Sequence, residues 1–593
     1  MTTDADILVR IENTRQALEH QLLAQRGSDG LWPGHLSSSA VSTAVAVIAL
    51  DMADGVAAAA RVEQGVRWLA RTINADGGWG DTPASPSNLS AVLLARAALF
   101  RRQSLPEAAS ALASSAAWLQ KRIGGTDEAA IRAGVLAHYG KDRTFAVPIL
   151  VACALANPAS SRSSWKGIPP LPFELAMLPS ALFKFLRLPV VSYAIPALIA
   201  VGLAQHRQTG SRQNPFYHLR ELPVKRVLRI LTAMQPTNGG FLEAAPLTGF
   251  VVMSLVAAGE TDHPVARKGV GFLTAGMRDD GSWPIDTNLN LWLTSLAIKA
   301  LDGGDGLAEP LRVELESLYR HSQYQEIHPF TRAAPGGWGW TTLPGGVPDA
   351  DDTAGALMAL AILKRPFSPT VAAGLEWLIG ITNRDGGIPT FCKGWGHLPF
   401  DRSAPDLSAH ALMAYAAWQE SVPQPLCARL VEGAARIKLY LQESRDADGV
   451  WCPLWFGDQQ APGHWSRVYG TAAVLESLAD SADMADVTDK AVAWLLASQN
   501  ADGGWGGEPG IPSVAETTGR AVSALALYPK GKAAARRGAL WLCTQAETNG
   551  GNLKASPIGL YFASLWYDEP LYPLVFALPA LRAVQLRIKN YEL

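Results

Sequence analysis

The chain has 593 residues, 48% of them hydrophobic and 18% charged, a balance that predicts two to four domains and excludes a disordered chain. Lys+Arg 51 against Asp+Glu 53 leaves a net charge of -2, so no basic excess exists to bind nucleic acid. Five scattered cysteines (Cys153, Cys392, Cys427, Cys452, Cys543) without C-x-x-C spacing read as reduced thiols of a cytoplasmic protein, not as disulfides or a zinc site.

From the N-terminus, the mixed and charged MTTDADILVRIENTRQALEH carries no secretory signal. An apolar helical stretch followed by a polar turn ending in Gly-Gly-Trp, or a relative of it, then recurs at 67–80, 271–283, 376–387, 493–506 and 540–551. Weaker copies lie at 25–32 and 235–241. In the five clear copies an aromatic precedes the turn glycine by nine residues: Trp68/Gly77, Phe272/Gly281, Trp377/Gly386, Trp494/Gly503 and Trp541/Gly550. Asp-Gly and Asn-Gly pairs stop a helix because glycine accepts positive φ, and the following tryptophan can pack on the helix end. The apolar stretches 145–159 and 188–204 fall short of the roughly 20 residues that span a bilayer, and each contains proline, so buried helices are predicted. Ala/Leu-rich segments such as 356–363 and 521–528 extend the helical pattern, and no run of period-two strands interrupts it. The expected fold is all-α, with helix pairs stacked on their neighbours as a solenoid or a closed toroid. A helical-repeat binding module fits this much equally well.

Chemistry enters at DADDTA (349–354), where a Gly/Pro loop meets an apolar helix. One aspartate is an ordinary N-cap; three within four residues exceed what capping needs. Crowded carboxylates can hold Mg²⁺, or one can keep its proton and act as a general acid. Further on, Asp406 and His410 are spaced i,i+4 at a helix start and share a face.

DADDTA resembles the D-x-D-D-T-A motif of class II terpene cyclases, especially squalene–hopene cyclases, and the Gly-Gly-Trp turns resemble that family's QW repeats. The resemblance runs from DGLW near residue 30 to LYPLVFALPAL at 571–581. It implies two α/α barrels: one over 13–285, the other from 1–12 plus 286–593 carrying the acid, with a cavity between them. It also implies that Asp351 protonates a terminal alkene or epoxide of a polyprenyl substrate without metal or cofactor. His410 would hydrogen-bond that acid, Asp406 would pair with His410, and Asp349 and Asp352 would hold the network. Carbocation chemistry needs a dry cavity lined with π-faces. Positions matching family lining residues are Trp340, Trp292, Phe391, Trp455, Tyr469, Tyr193, Tyr561 and Trp566. The expected partner is a hydrophobic small molecule, most simply a squalene-like triterpene. A meroterpenoid, a shorter terpenoid or a prenyl diphosphate are the alternatives, and for a diphosphate Lys364, Lys393 and Arg402 are the cations near the motifs. Much of the chain's shortening falls near 205–235, where the family carries a membrane-plateau helix. Peripheral contact with the inner membrane face and a homodimer stay open. Zinc prenyltransferase barrels need Asp, Cys and His ligands that do not pair convincingly here, and class I synthases need a D-D-x-x-D motif in a suitable helix.

Overall fold

The computed structural model describes residues 4–140, 143–156, 164–165, 167–178, 195–210, 213–304, 306–391, 399–560 and 565–589. The chain divides into two compact units, Leu36–Thr287 with Leu343–Gly346, and Met1–His35 with Asn288–Thr342 and Val347–Leu593.

In the Leu36–Thr287 unit, helices Ala40–Asp54, Leu89–Phe100, Arg143–Ala156, Ile195–Thr209 and Ala245–Ala257 pack each on the next, and the last on the first. These helices are apolar nearly all round, as expected of an inner layer. Ala40–Asp54 buries every residue from Ala40 to Asp51. Around them lie amphipathic helices such as Ala59–Arg71, which buries Val62, Gly65, Val66, Trp68 and Leu69 and leaves its charges outside.

The other unit repeats the plan with six inner helices: α1 (Asn290–Leu301), α2 (Ala350–Ile362), α3 (Pro405–Trp418), α4 (Arg467–Leu478), α5 (Ala515–Leu525) and α6 (Leu571–Lys589). Each packs on its neighbour, and α6 returns to α1, which closes the ring. Outer helices Pro369–Ile381, Leu426–Glu443, Ala485–Ala497 and Lys532–Thr548 cover it. Strands among the described residues are short: Ser38–Ser39 pairs with Trp283–Pro284, and Gly457–Asp458, Ile558–Leu560 and Leu565–Tyr567 form a small antiparallel sheet. The fold is all-α, built of α/α barrels.

The boundary expected at residue 13 needs correction. Asp4–Ala24 is one continuous helix whose buried Ile7, Ile11, Leu18 and Leu22 pack toward α6 and Lys532–Thr548, so residues 13–35 belong with the acid-carrying unit. The two apolar stretches enter inner helices Arg143–Ala156 and Ile195–Thr209; residues 157–159 and 188–194 lie outside the described residues. At 19 residues α6 is long and apolar enough to cross a membrane, but 72% of its most apolar window is buried as an inner helix.

The repeat has one bonding rule. Where the turn follows its helix directly, the tryptophan donates its indole N–H to the carbonyl ten residues earlier, at the end of the preceding helix; Trp338, after a longer loop, reaches the Tyr319 carbonyl at 2.7 Å. Trp79 bonds Leu69 at 2.8 Å, Trp283 bonds Leu273 at 2.7 Å, Trp451 bonds Leu441 at 2.8 Å and Trp505 bonds Leu495 at 2.9 Å. The turn glycine makes this geometry possible: Gly281 has φ +90°, and a Cβ there would meet the Gln64 carbonyl oxygen at 2.8 Å.

Candidate active site

Two loop-to-helix junctions of the inner ring, at the starts of α2 and α3, supply the acid cluster. Asp349 caps α2, its carboxylate accepting from Asp352 N–H at 2.9 Å, so the capping role explains this residue. Its own N–H donates to the Trp338 carbonyl at 2.9 Å, and Trp338 N–H donates to Thr353 Oγ1 at 3.0 Å, which ties the preceding turn to the helix start. The Trp340 carbonyl accepts from Leu291 and Trp292 N–H at 3.0 and 3.1 Å, satisfying the N-terminus of α1.

Asp351 Oδ1 lies 2.6 Å from His410 Nδ1 on α3, and each side chain keeps 19% of its surface accessible. The other carboxyls differ. Asp349, Asp352 and Asp406 are buried. Burial, then the like charge of Asp351, pushes Asp349 up to about 7 against its hydrogen bonds with Asp352. Burial beside Asp349 and Asp351 drives Asp352 well above the usual carboxylate range, and a bond between the Asp349 and Asp352 side chains favours the proton on Asp352. Asp406 is also raised to about 7, by burial and then by Asp351.

The i,i+4 pairing of Asp406 with His410 is not formed. Asp406 Oδ2 instead accepts from Leu454 N–H at 3.1 Å, and its Oδ1 has no hydrogen-bond partner. The imidazole turns across to α2, where Asp351 offers a closer carboxylate. The cluster therefore presents one accessible carboxyl, held by one imidazole and backed by carboxyls whose environment favours the neutral form.

Aromatic side chains group around it. Trp292 meets His410 edge-on at 6.1 Å and donates its indole N–H to Tyr572 Oη at 3.2 Å. Trp340, Phe391 and Trp455 form a second group, with Trp340–Phe391 at 6.5 Å and Phe391–Trp455 at 6.1 Å. Trp340 Nε1 is buried without a hydrogen-bond partner, so packing holds that ring. Tyr469 stacks on Phe456 at 4.3 Å. Trp566 sits on the small sheet, edge-on to His464 at 5.4 Å. Tyr193 and Tyr561 lie outside the described residues, as does Lys393. Lys364 lies just past the C-terminus of α2, about 20 Å along the helix from Asp351. Arg402 is exposed.

Sequence reasoning missed Phe400, Phe456, Tyr572 and Phe576. Phe400 completes the Trp455 group at 5.6 Å, and Tyr572 and Phe576 face Phe456 from α6 at 6.1 and 6.4 Å. The i,i+4 spacing of Tyr572 and Phe576 was the available signal.

The squalene-hopene cyclase C-terminal domain matches residues 290–583 and the N-terminal domain of the same family matches residues 15–152. A terpene cyclase–glycosyl transferase fusion protein of Humicola fuscoatra is 26% identical over 95% of this chain; the chain spans 49% of that relative's length. A probable squalene–hopene cyclase of Sinorhizobium fredii is 24% identical over 82% of this chain and 81% of its own length. Among solved structures, ent-copalyl diphosphate synthase from Streptomyces platensis aligns with a TM-score of 0.58 at 19% identity, covering 98% of this chain and 99% of that one, which speaks for the fold. With both halves matched and the α/α rings in place, the chain belongs to the squalene–hopene cyclase family of class II terpene cyclases.

Proposed function

We propose that this chain cyclises a linear polyprenyl substrate, squalene-like in chemistry, with Asp351 as the proton donor. The observation that carries the reading is the unequal treatment of the three clustered aspartates. Asp349 is used as a helix cap and Asp352 is buried beside it, while Asp351 stays accessible on the His410 ring at 2.6 Å. His410 Nδ1–H donates to Asp351 Oδ1, leaving the other carboxyl oxygen to give its proton to the alkene. The carboxylate left behind is stabilised by that bond and by the positive end of α2, since Asp351 lies in its first turn. Trp292, Trp340, Phe391, Trp455 and Tyr469 offer π-faces that stabilise a carbocation without attacking it. A tetraprenyl arene, a shorter terpenoid or a prenyl diphosphate would undergo the same first step.

An assay on an uncharged polyene tests the acid. Activity is expected to survive EDTA and to fall as pH rises through about 7, where Asp349 and Asp406 take up negative charge beside Asp351 and weaken it as an acid. Complete loss in EDTA, restored by Mg²⁺, would return the cluster to a metal site. Mass spectrometry of products from squalene, oxidosqualene, geranylgeranyl arenes and prenyl diphosphates identifies the substrate.

A peripheral contact with an anionic membrane face is part of the proposal. It is supported by Phe216, Leu219 and Leu222, which are 72%, 60% and 77% exposed, and by the exposed Lys225, Arg226 and Arg229 that follow. Co-sedimentation with vesicles containing phosphatidylglycerol, compared with phosphatidylcholine alone, checks it; equal recovery in the pellet would refute charge-assisted attachment.

A further inference from the structure

Three charged side chains on the inner ring have no part in the reaction as proposed. Lys299 on α1, Glu476 on α4 and Arg520 on α5 retain 26%, 12% and 15% of their side-chain surface and are enclosed by protein, so they face the interior of the ring. Lys299 is seven residues past Trp292 and Glu476 is seven past Tyr469, which puts both on the faces of those aromatics, about 10 Å further along the helices. Glu476 Oε1 accepts from Lys299 Nζ at 2.6 Å and Oε2 from Arg520 Nη1 at 2.8 Å. The guanidinium lies 5.0 Å from the Tyr469 ring centre and 5.7 Å from that of Phe576, and Arg520 Nε has no partner. Unpaired charges at such positions would be costly, so a complete network here needs a reason beyond filling space.

The network carries two cations and one anion. Burial opposes ionisation of Glu476, but Lys299 and Arg520 hold it down at about 2, and His410 contributes in the same sense. Arg520 in turn feels Asp351 and Asp406. Trp292, two helical turns before Lys299 on α1, meets the His410 ring edge-on at 6.1 Å, which places the network close behind the imidazole that holds the acid. Both oxygens of Glu476 are occupied, which makes it a poor base toward a nearby carbocation.

We infer that Lys299, Glu476 and Arg520 form a charge-setting layer whose net single positive charge fixes how tightly the Asp351–His410 pair holds its protons. All three are positioning residues acting through that pair, and the inference rests on the proposed role of Asp351. The other titratable groups around the pair are Asp349 and Asp352 on α2, Asp406 on α3, Tyr469 on α4, Glu516 on α5, Tyr572 on α6 and Tyr319 on the outer helix Glu309–Ser322. Asp406 and Tyr469 share the field of Arg520, and a change of one charge in the network moves every carboxyl near the pair in the same sense as Asp351, so the sign of the effect is fixed. Removing the anion leaves two cations uncompensated and loosens protons from both Asp351 and His410; removing one cation tightens them. The direction is the same whichever of the two groups loses the proton.

The experiment is the kcat–pH profile of the full chain on an uncharged polyene, for the native protein, Glu476→Gln and Lys299→Met, with folding checked by circular dichroism. The alkaline limb is expected to move down by roughly one pH unit in Glu476→Gln and up by a similar amount in Lys299→Met, the scale of one nearby charge. If Glu476→Gln does not fold, Lys299→Met decides alone, because it leaves the Arg520–Glu476 pair in place. A purely structural network would lower the thermal midpoint of folded variants and leave both limbs where they are, and that result overturns the inference. A native protein inactive on every uncharged polyene overturns the role of Asp351 itself, and this is seen before any variant is made.

Discussion

The two units share a plan but differ in where their inner helices send charge. In the Leu36–Thr287 unit, Asp51 pairs with Arg101 and Arg102, which directly follow the neighbouring inner helix, at 2.5 and 2.6 Å. Arg96 gives its N–H groups to the Leu112 carbonyl and Ser115 Oγ of an outer helix at 2.6 and 2.7 Å. Charge there caps helix ends or joins the layers. In the other unit Arg582 and Arg467 likewise pair outside the inner helices, but a further set of inner-helix charges meet one another: Asp351 with His410, and Glu476 with Lys299 and Arg520. The same repeat with the same indole-to-carbonyl bond builds both rings, so the repeat makes a scaffold. Chemistry depends on which inner positions depart from apolar, and on whether their partners stand on inner or outer helices.

That contrast breaks most sharply at Asp351. Asp351→Asn is expected to abolish product while the protein stays folded, because an amide has no acidic proton to give an alkene; product assays with circular dichroism check it, and a fully active variant ends the proton-donor reading. His410→Ala should cost about 10²-fold in kcat, the scale of an acid–base partner, with KM less affected. Asp406 gives a stability test. Its proton affinity is raised by folding, so its contribution is intact below the ordinary carboxylate range and lost as pH rises through about 7. Asp406→Asn keeps an acceptor for Leu454 N–H and should remove this loss, worth on the order of 4 kcal/mol at alkaline pH. Denaturant melts at pH 4, 6 and 8 read the slope, and parallel curves for native and variant proteins would contradict it. The smallest effect sharpens the likeness of the two rings. Trp79→Phe and Trp505→Phe each strand one helix-end carbonyl, and each should cost roughly 1–3 kcal/mol with no change in product.

The repeat was legible because its signal is local. Turn glycines, helix formers and an aromatic in fixed phase all act within a dozen residues, and the bonds they form span ten. The domain edge was less so. Ile7, Ile11, Leu18 and Leu22 announce an amphipathic helix but not the layer that receives it. Spacing within α3 suggested Asp406 as the partner of His410, whereas the geometry gives that place to a carboxylate 59 positions earlier in the chain. The resemblance to a known motif supplied that pairing; periodicity did not. Lys299, Glu476 and Arg520 look in sequence like three unrelated charges, and only the ring brings them together. The seven-residue offset of Lys299 from Trp292 and of Glu476 from Tyr469 was the one clue present, and it has meaning only once those aromatics are known to face inward.

Closure of the acid-carrying ring has a consequence for the order of synthesis. The contact between Trp292 and Tyr572 joins positions 280 apart, and Phe576 faces Phe456 and Tyr469 from the same helix. On the ribosome, α2 and α3, with Asp351 and His410, emerge long before α6 does. A nascent chain thus owns its acid while one wall of the ring is still missing and water has free access to the carboxyl. Chaperone capture or premature termination in that interval would leave a polypeptide with the whole D-x-D-D motif and without the inner helix that the proposed chemistry needs to keep water out.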